Sequence, residues 1–336
     1  MRRTQAAHRA TLTIAFVAIG VTLAPEAAVA GEYSVGNCGA DQLNFSTRAF
    51  DDFATRGMKI RRACDPEGPG LRGLITSNVV RGGQVPRGAV ALATMTAPPG
   101  TRFTRFRWAG TLRRRDCRYA LQLWAEAPDI QAIPLKNVRA NQHCPRPVLA
   151  QAAAYRSRTF NVSGATRIVQ RVICMGDGKR KSCSARGSNY VRTFEAEVGI
   201  ADVSPPVAAI IGDTPLARGE WVRGDQPLNY DASDNVGVRR ADTIAAGQSG
   251  NSDSRSCVFA TPERTFAEPL PCPNGPGRIN VTTTEVPDGT QQLAVRAQDT
   301  AGNIGDSPAV TARIDNTPPG RVDVGVEGSE AWRNRN

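Results

Sequence analysis

The feature of this sequence that most restricts its fold is a series of short runs in which apolar and polar residues alternate. In the first half such runs occupy residues 119–124, 165–174 and 190–199, and Pro, Gly, Asn and Asp separate them. A side-chain period of two turns one face of each run to a core and the other to solvent, which is typical of antiparallel strands. We therefore predict an all-β chain whose N-terminal domain is an antiparallel β-sandwich. Residues 149–156 alone favour a short helical turn.

The second half shows the same pattern in a smaller unit. Apolar runs at residues 207–211, 291–297 and 309–314 are separated by turns rich in Asp, Asn and Gly. About seven short strands in about 110 residues is typical of an immunoglobulin-like sandwich. We predict that this second sandwich follows the first directly.

A repeated linker marks the domain boundaries. Asp-Val-Ser-Pro-Pro at 202–206 recurs as Asp-Asn-Thr-Pro-Pro at 315–319, and paired prolines stiffen a connection between modules. Few residues follow the second copy, too few to bury Trp332, so we expect the chain to be part of a longer protein. The predicted segments are a signal peptide at 1–30, a basic disulfide-containing β-sandwich at 31–203, an immunoglobulin-like domain at 204–316, and a linker with the start of a further module at 317–336.

Residues 1–30 have the three parts of a secretory signal. Arg2, Arg3 and Arg9 supply the charged start, an apolar run follows at 10–24, and Ala-Val-Ala at 28–30 is a cleavage pattern. The apolar run is short for a membrane span, so an uncleaved anchor is the alternative interpretation. The sequence therefore predicts a secreted or cell-surface protein without a membrane span in its mature part.

Eight cysteines follow the leader, and no two of them form a Cys-x-x-Cys pair. In an oxidising compartment an even number of cysteines favours disulfides over metal or redox motifs. Pairing of sequence neighbours is the simplest arrangement, and it is favoured most for the last two of the four pairs. The predicted pairs are Cys38–Cys64, Cys117–Cys144, Cys174–Cys183 and Cys257–Cys272.

Positive charge is concentrated in the first domain. Residues 31–203 contain 27 Lys and Arg against 13 Asp and Glu, whereas residues 204–336 contain 12 against 17. The densest basic runs are Arg113–Arg115 and Lys179–Lys181, and neither is interleaved with the aromatic residues of a nucleic-acid platform. A solvated surface explains such an excess, and attraction to an anionic polymer is the functional alternative. A polysaccharide or a cell-wall polymer is therefore the expected partner.

Few residues are candidates for a binding or catalytic site. Trp108 and Trp124 could stack on sugar rings if exposed, although tryptophans on alternating strands are more often core residues. Glu195 and Glu197 lie two apart on a strand and so share one face, a spacing that glycoside hydrolysis permits and that an outer sheet face also explains. His143 is the sole histidine after the leader, and no Gly-x-Ser-x-Gly elbow accompanies it. We predict no catalytic residue.

Calcium is the one cofactor that the residue pattern allows. Asp231, Asp234 and Asn235 place oxygens in one turn, and Asp299 and Asn303 do so in another. The spacing of an EF-hand is absent, and Asx-turns explain the same residues without a metal. We therefore predict no cofactor and no metal site, with calcium as the alternative.

The linkers and turns of the second half form a characteristic ordered set. Its members are Ser204–Pro206, Asp231–Gly237, Pro287–Thr290, Val295–Ala297, Asp299–Asn303 and Asp315–Pro319. Through these residues the segment 204–316 resembles bacterial surface immunoglobulin-like modules. The resemblance implies a stalk, spacer or adhesion module that is non-catalytic and usually occurs in tandem.

The first domain has three distinctive features: Glu32–Cys38 just after the leader, Ala97–Gly100 before a Trp-containing strand, and the pair Cys174 and Cys183. Through them residues 31–203 resemble an uncharacterised domain of large exported actinobacterial-type proteins. The resemblance implies a concanavalin-like or jelly-roll sandwich of the kind that binds carbohydrate. We thus expect a non-catalytic exported or surface protein that binds carbohydrate or an anionic polymer. A secreted carbohydrate-active hydrolase with an accessory module, or a purely structural surface component, is the alternative.

Overall fold

A computed structural model describes residues 31–37, 49–63, 73–140, 148–150, 157–261 and 265–321. Almost all regular structure in these residues is β, which confirms the predicted all-β fold class. The helical segments among them are one four-residue α-helix, α1, and one turn of 3-10 helix. The helical turn expected at 149–156 is wrong at its start, because residues 148–150 pair antiparallel with another strand.

The first half contributes fourteen of the described strands. They are β1 (Gly31–Asn37), β2 (Asp51–Ala54), β3 (Met58–Ala63), β4 (Gly73–Asn78), β5 (Gln84–Pro86), β6 (Val90–Thr96), β7 (Arg102–Arg114), β8 (Tyr119–Ala127), β9 (Ile130–Val138), β10 (Val148–Ala150), β11 (Arg158–Asn161), β12 (Arg167–Cys174), β13 (Ser182–Ser184) and β14 (Tyr190–Asp202).

The second half contributes the remaining described elements. They are β15 (Val207–Ile210), α1 (Pro215–Arg218), β16 (Trp221–Val222), β17 (Asp225–Ser233), β18 (Val238–Ala245), β19 (Gln248–Ser254), β20 (Phe259–Thr261), β21 (Thr265–Phe266), β22 (Gly275–Thr282), the 3-10 turn Thr283–Glu285, β23 (Gly289–Asp299), β24 (Ile304–Asp306) and β25 (Val310–Ile314).

The N-terminal sandwich has two sheets that enclose one core. The larger sheet runs in the order β10-β7-β14-β1-β21-β20, with β11 on β7 and the β3–β4 pair on β14. The smaller sheet runs β2-β6-β12-β8-β9. Inward-facing apolar residues alternate with outward polar ones along β8 and β12, as the period of two predicted. The space between the sheets is therefore filled by side chains such as Leu121, Leu123, Ile168 and Val172.

A buried polar network crosses this core. Gln170 on β12 is 1% exposed, and its amide donates to the carbonyls of Leu74 and Val191 in the opposite sheet, at 3.3 and 3.1 Å. The Thr193 hydroxyl donates to Gln170 Oε1, and the Trp108 indole N–H donates to Thr193 Oγ1 at 2.7 Å. Because each polar atom has its partner inside the core, the network links the two sheets without a desolvation penalty.

The second sandwich pairs the sheet β15-β17-β22 with the sheet β16-β25-β23-β18-β19, and β24 adds to β23. Its separate core contains Leu228, Tyr230, Val295 and Ile314. Helix α1 is capped by Thr214 and ends at Gly219, whose φ of 70° suits a residue without a Cβ. The domain boundary at 203 stays a prediction, although two separate cores are consistent with it.

One segment of the second half belongs to the first sandwich. Strand β21 pairs parallel with β1, and β20 pairs with β21, so the segment between Cys257 and Cys272 extends the larger N-terminal sheet. The Phe266 ring packs edge-on against Tyr33, and the Tyr33 hydroxyl donates to the carbonyl of Pro269 at 2.5 Å. This segment covers an edge strand that would otherwise expose unpaired backbone groups.

Replacement of Gln170 by Leu tests the buried network. Gln170→Leu keeps the approximate volume but removes every hydrogen bond of the amide, so the hydroxyls of Thr193 and Thr76 and the two carbonyls lose a partner. We expect the free energy of unfolding to fall by roughly 2–4 kcal/mol, measured by urea denaturation. Gln292→Leu, on an exposed position of β23, is the control and should change it by less than about 0.5 kcal/mol. Equal effects for the two variants would contradict the role of the network.

Candidate functional site

Trp108, predicted as a sugar-stacking residue, is a core residue. Its side chain is 2% exposed and lies between the sheets with its indole N–H bonded to Thr193. The next glycine on the strand, Gly110, makes room for it, since a Cβ there would lie 2.3 Å from the Trp108 ring. The expectation of a ligand-binding Trp108 is therefore wrong: the aromatic face is used for packing, and a threonine inside the core satisfies the indole.

Trp124 lies on the outer face of the smaller sheet and is half-buried. The Arg171 guanidinium lies over its ring, 4.6 Å from the centroid, and the indole N–H donates to Glu126 Oε2 at 2.6 Å. Arg171 is held in turn by Gln122, whose Oε1 accepts from Arg171 Nε at 3.0 Å. One ring face is thus covered by a cation, so Trp124 positions Arg171 and does not offer that face to a sugar.

Glu195 and Glu197 share the outer face of β14, as their spacing predicted. Both carboxylates bind the Nη2 of Arg107 on the neighbouring strand β7, at 2.6 and 2.9 Å. A β-bulge between Thr193 and Glu195 turns Phe194 outward as well, where the Arg192 guanidinium covers its ring. The two carboxylates are close together, but a guanidinium occupies the space between them that a glycosidic bond would need.

Neutralisation of these two glutamates therefore tests the hydrolase alternative. We expect Glu195→Gln and Glu197→Gln each to lower the free energy of unfolding by less than about 1 kcal/mol, because ion pairs this exposed contribute little. Release of reducing sugar from a panel of glycans should be the same for both variants and the wild type. A loss of at least 100-fold in hydrolysis of one glycan, in a folded variant, would instead establish a catalytic pair.

Two of the predicted disulfides are confirmed. Cys174 and Cys183 are bonded and close the loop that follows β12, and Cys257 and Cys272 are bonded at the base of the segment that reaches the N-terminal sheet. Cys117 is disulfide-bonded. Its expected partner Cys144, the pair Cys38 and Cys64, and His143 lie outside the described residues, so the predictions for them stay predictions.

The first of two adjoining cavities lies beside the Cys174–Cys183 loop. It has a volume of about 480 Å³ and opens on the outer face of β8, β9 and β12. Three arginines reach it together with the amides of Gln122 and Asn137 and the exposed side chain of Met175. Its lining consists of Arg87, Ala120, Gln122, Asn137, Arg139, Ala140, Arg171, Met175, Gly176, Asp177 and Gly178.

The second cavity, of about 520 Å³, lies on the other side of the same loop. Asp177 lines both cavities, and we call the two together the basic groove. The second cavity is lined almost wholly by charged and polar residues from the end of β7 and from the segment before β14. These are Arg115, Asp116, Cys117, Arg118, Asp177, Arg180, Ser184, Arg186, Gly187 and Asn189.

The two carboxylates of the basic groove already accept hydrogen bonds from groups of the protein itself. Burial disfavours the charged form of Asp116, but hydrogen bonds from Arg118 and from the backbone N–H groups of Ser184 and Arg118 outweigh it and lower its pKa. The pKa of Asp177 is lowered by hydrogen bonds from the backbone N–H groups of Arg180 and Lys179. Both residues thus stay ionised, and each is turned toward its own loop.

The remaining arginines of the basic groove lack such partners. Within the described part of the chain, the guanidinium groups of five groove arginines make no ion pair and no side-chain hydrogen bond, and all five side chains are exposed. They are Arg87, Arg115, Arg139, Arg180 and Arg186. Sequence reasoning singled out Arg113–Arg115 and Lys179–Lys181 as the densest basic runs, and each run contributes one arginine here. The other three are separated in sequence, and nothing in their local pattern marks them.

The turns that suggested calcium meet at the junction of the two sandwiches. The carboxylates of Asp202, Asp234 and Asp299 lie within 4.8 Å of one another, and Asp202 and Asp299 are almost fully buried. Asn303 Nδ2 donates to Asp202 and Asp299, and Asn235 Nδ2 donates to Asp202. We call these residues the junction cluster; Asp231, exposed on β17, is not a member of it. The prediction of no metal site, with calcium as the alternative, stays a prediction.

Burial and mutual repulsion make the junction cluster sensitive to pH. Burial, together with the nearby charge of Asp234, raises the pKa of Asp299 to about 6, although Asn303 opposes this by hydrogen bonding. Burial and the charge of Asp202 also raise the pKa of Asp234. A carboxyl group with a raised pKa in the folded state stabilises the fold while it is protonated. This stabilisation is complete below the unfolded value of about 4 and is lost as the pH rises through about 6.

The variant Asp299→Asn should remove this pH dependence. The free energy of unfolding of the variant minus that of the wild type should increase by about 2 kcal/mol between pH 4 and pH 7. The reason is that the wild type must ionise a buried carboxyl group over this range, whereas the amide stays neutral. Denaturant titrations of both proteins in EDTA give this difference, and parallel curves of stability against pH would contradict the assignment.

The same pair of proteins tests calcium binding. A bound cation requires that CaCl2 raise the wild-type unfolding midpoint at pH 7 and leave that of Asp299→Asn unchanged.

No protein-family model and no curated protein matches the chain. Similar solved structures include the fibronectin(III)-like modules of CbhA from Clostridium thermocellum, at 11% identity and a TM-score of 0.22, over 72% of this chain and 93% of that one. The adhesin domain of Epf from Streptococcus pyogenes is 8% identical with a TM-score of 0.24, over 88% and 94% of the two chains.

A third similar structure is a β-glucuronidase of Bifidobacterium dentium in complex with coumarin-3-O-glucuronide. It is 11% identical with a TM-score of 0.22, over 82% of this chain, which spans about half (49%) of that enzyme. Likeness at this level of identity concerns the fold alone. In the part of the chain that the structure describes, neither helical segment has the length or apolar character to cross a bilayer.

Proposed function

We propose that the protein is an exported, non-catalytic binding protein whose N-terminal sandwich holds an anionic glycan in the basic groove. The observation that carries this proposal is the set of five exposed arginines that line the groove and make no ion pair or side-chain hydrogen bond with a described residue, while both groove carboxylates accept hydrogen bonds from their own loops. Arginines scattered singly over a surface would not form such a group. A guanidinium fork matches a carboxylate or phosphate in two parallel hydrogen bonds, so the groove suits a chain with repeated acidic groups.

The groove residues favour an acidic glycan over a neutral one. Neutral sugars are commonly held by stacking on exposed aromatic rings, but Trp108 is in the core and one face of Trp124 carries Arg171. The two cavities have no aromatic residue among their described lining. The same lack of stacking residues disfavours single-stranded nucleic acid, whose binding sites combine basic and aromatic side chains.

The predicted immunoglobulin-like module serves in this proposal as a spacer that holds the N-terminal sandwich away from the cell. Support comes from the segment Cys257–Cys272, which adds strands β20 and β21 to the N-terminal sheet. The junction cluster adds a second connection, since Asn235 of the second sandwich donates to the carbonyl of Pro99 in the first. A rigid pair of domains transmits force and keeps the groove at a fixed orientation.

Binding to polygalacturonate tests the proposal. With immobilised polymer in EDTA at pH 7, we expect residues 31–336 to bind at 50 mM NaCl and to weaken at least tenfold at 300 mM NaCl, because salt screens charge pairing. The double variant Arg87→Ala, Arg139→Ala should weaken binding at 50 mM by roughly tenfold, since each loses a charge-assisted contact. Surface plasmon resonance gives both values.

The matched control is Arg223→Ala, Arg278→Ala, which removes the same charge from exposed positions of the second sandwich. Its affinity should stay within twofold of the wild type. Equal weakening by both double variants would show that net charge alone attracts the polymer. Absence of binding to polygalacturonate, heparin and duplex DNA would favour the purely structural alternative, and preference for DNA would replace a glycan by a nucleic acid.

A further inference from the structure

The two halves of the basic groove differ in chemistry, and this difference points to the kind of acidic glycan that it holds. The first cavity combines Arg87 and Arg139 with two amides and with Met175, whose side chain is 42% exposed. Among its described lining residues, the second cavity has no apolar side chain apart from the bonded Cys117, and arginines dominate this lining. A ligand that fills both must therefore present a sugar ring at one end and little more than an acidic group at the other.

The amides of the first cavity are arranged for hydroxyl groups. Gln122 Nε2 donates to Asn137 Oδ1 at 3.3 Å, and Gln122 Oε1 accepts from Arg171, whose guanidinium lies over the Trp124 ring. Such a chain of side chains fixes donors and acceptors in place before a ligand arrives, which lowers the entropic cost of binding. Met175 offers an apolar contact to the C–H face of a sugar ring, and the two unpaired arginines offer contacts to a carboxylate on that ring.

The loop of Asp177, which lines both cavities, carries little side-chain bulk at the next residue. It is held by the Cys174–Cys183 bond and by two hydrogen bonds that the Asp177 carboxylate accepts from the backbone N–H groups of Lys179 and Arg180. Gly178, next to Asp177, faces open space, because a Cβ there would meet no atom within 4 Å. The Asp177 carboxylate faces backbone N–H groups, so that its charge is partly compensated where a polyanion would cross.

We propose, on the basis of the proposed function, that the basic groove contains two subsites for one linear polyuronate chain. The first cavity binds a uronate residue through its ring hydroxyls and carboxylate. The second cavity binds the carboxylate of a nearby residue in the same chain through Arg115, Arg180 and Arg186. The groove then selects consecutive acidic sugars, because a glycan with isolated acidic groups fills one subsite and leaves the other empty.

Oligogalacturonates of one to eight residues, titrated calorimetrically into the full chain at 50 mM NaCl in EDTA, test this proposal. We expect the dissociation constant to fall at least tenfold between the shortest oligomer that binds and the length that reaches both cavities. Beyond that length it should fall by less than threefold. A stepwise gain followed by a plateau is the signature of two linked subsites, whereas diffuse charge attraction increases steadily with each added residue.

Variants assign the two subsites. Arg115→Ala, Arg186→Ala should abolish the gain with length and leave the shortest bound oligomer within twofold of the wild type. Arg87→Ala, Arg139→Ala should weaken oligomers of every length by at least fivefold. Arg223→Ala, Arg278→Ala is again the control of equal charge and should retain both the affinity and the step with length.

Two results would overturn the two-subsite arrangement while leaving the proposed function in place. One is an affinity for oligogalacturonates that does not depend on the number of residues in the oligomer. The other is a second-cavity variant that weakens short and long oligomers by the same factor, which is the behaviour of general charge attraction. Failure of every polyanion to bind would instead overturn the proposed function itself, and the two-subsite proposal with it.

Discussion

The side chain of Gln170 joins the two sheets of the N-terminal sandwich, and the geometry of the basic groove depends on that junction. Gln170 holds β12 against β4 and β14 from inside the core. Its neighbour Arg171 faces the other way and lines the first cavity, and β12 ends at Cys174, where the loop between the cavities begins. The second cavity is built on the opposite sheet, from the end of β7 and the residues before β14. A shift of one sheet against the other would separate the two halves of the groove.

A second set of polar contacts connects the two sandwiches. Asp202 ends the last strand of the first sandwich and accepts hydrogen bonds from Asn235 and Asn303 of the second. Its carboxylate is buried beside those of Asp234 and Asp299. The connection therefore brings three carboxyl groups close together, and burying their negative charges costs free energy. The apolar contact of Phe266 with Tyr33 lies in the same interface and does not depend on pH. The junction thus combines an apolar contact with a cluster of carboxyl groups in which burial and the charge of Asp234 disfavour ionisation of Asp299.

The alternation of side chains made the β-sandwich predictable, since a period of two determines which residues face a core. The same rule failed at Phe194, where a bulge in β14 shifts the register and turns the ring outward. It also could not place Trp108, because both faces of a strand can carry an aromatic residue, and only packing against Gly110 and Thr193 puts this one inside. Of the residues predicted to bind a ligand, Glu195 and Glu197 lie together as expected but are engaged by Arg107.

The sequence by itself determined the class of fold, the concentration of basic residues in residues 31–203, and two disulfide pairs between sequence neighbours. These follow from local periodicity, composition and short spacing. The tertiary structure alone decided which arginines line the basic groove. Arg87, Arg139 and Arg186 come from separate segments, and the groove exists only when the two sheets are packed. It also decided that the segment between Cys257 and Cys272 completes the N-terminal sheet. Strand pairing between residues this far apart depends on the packed surfaces of both domains, and no local pattern encodes it.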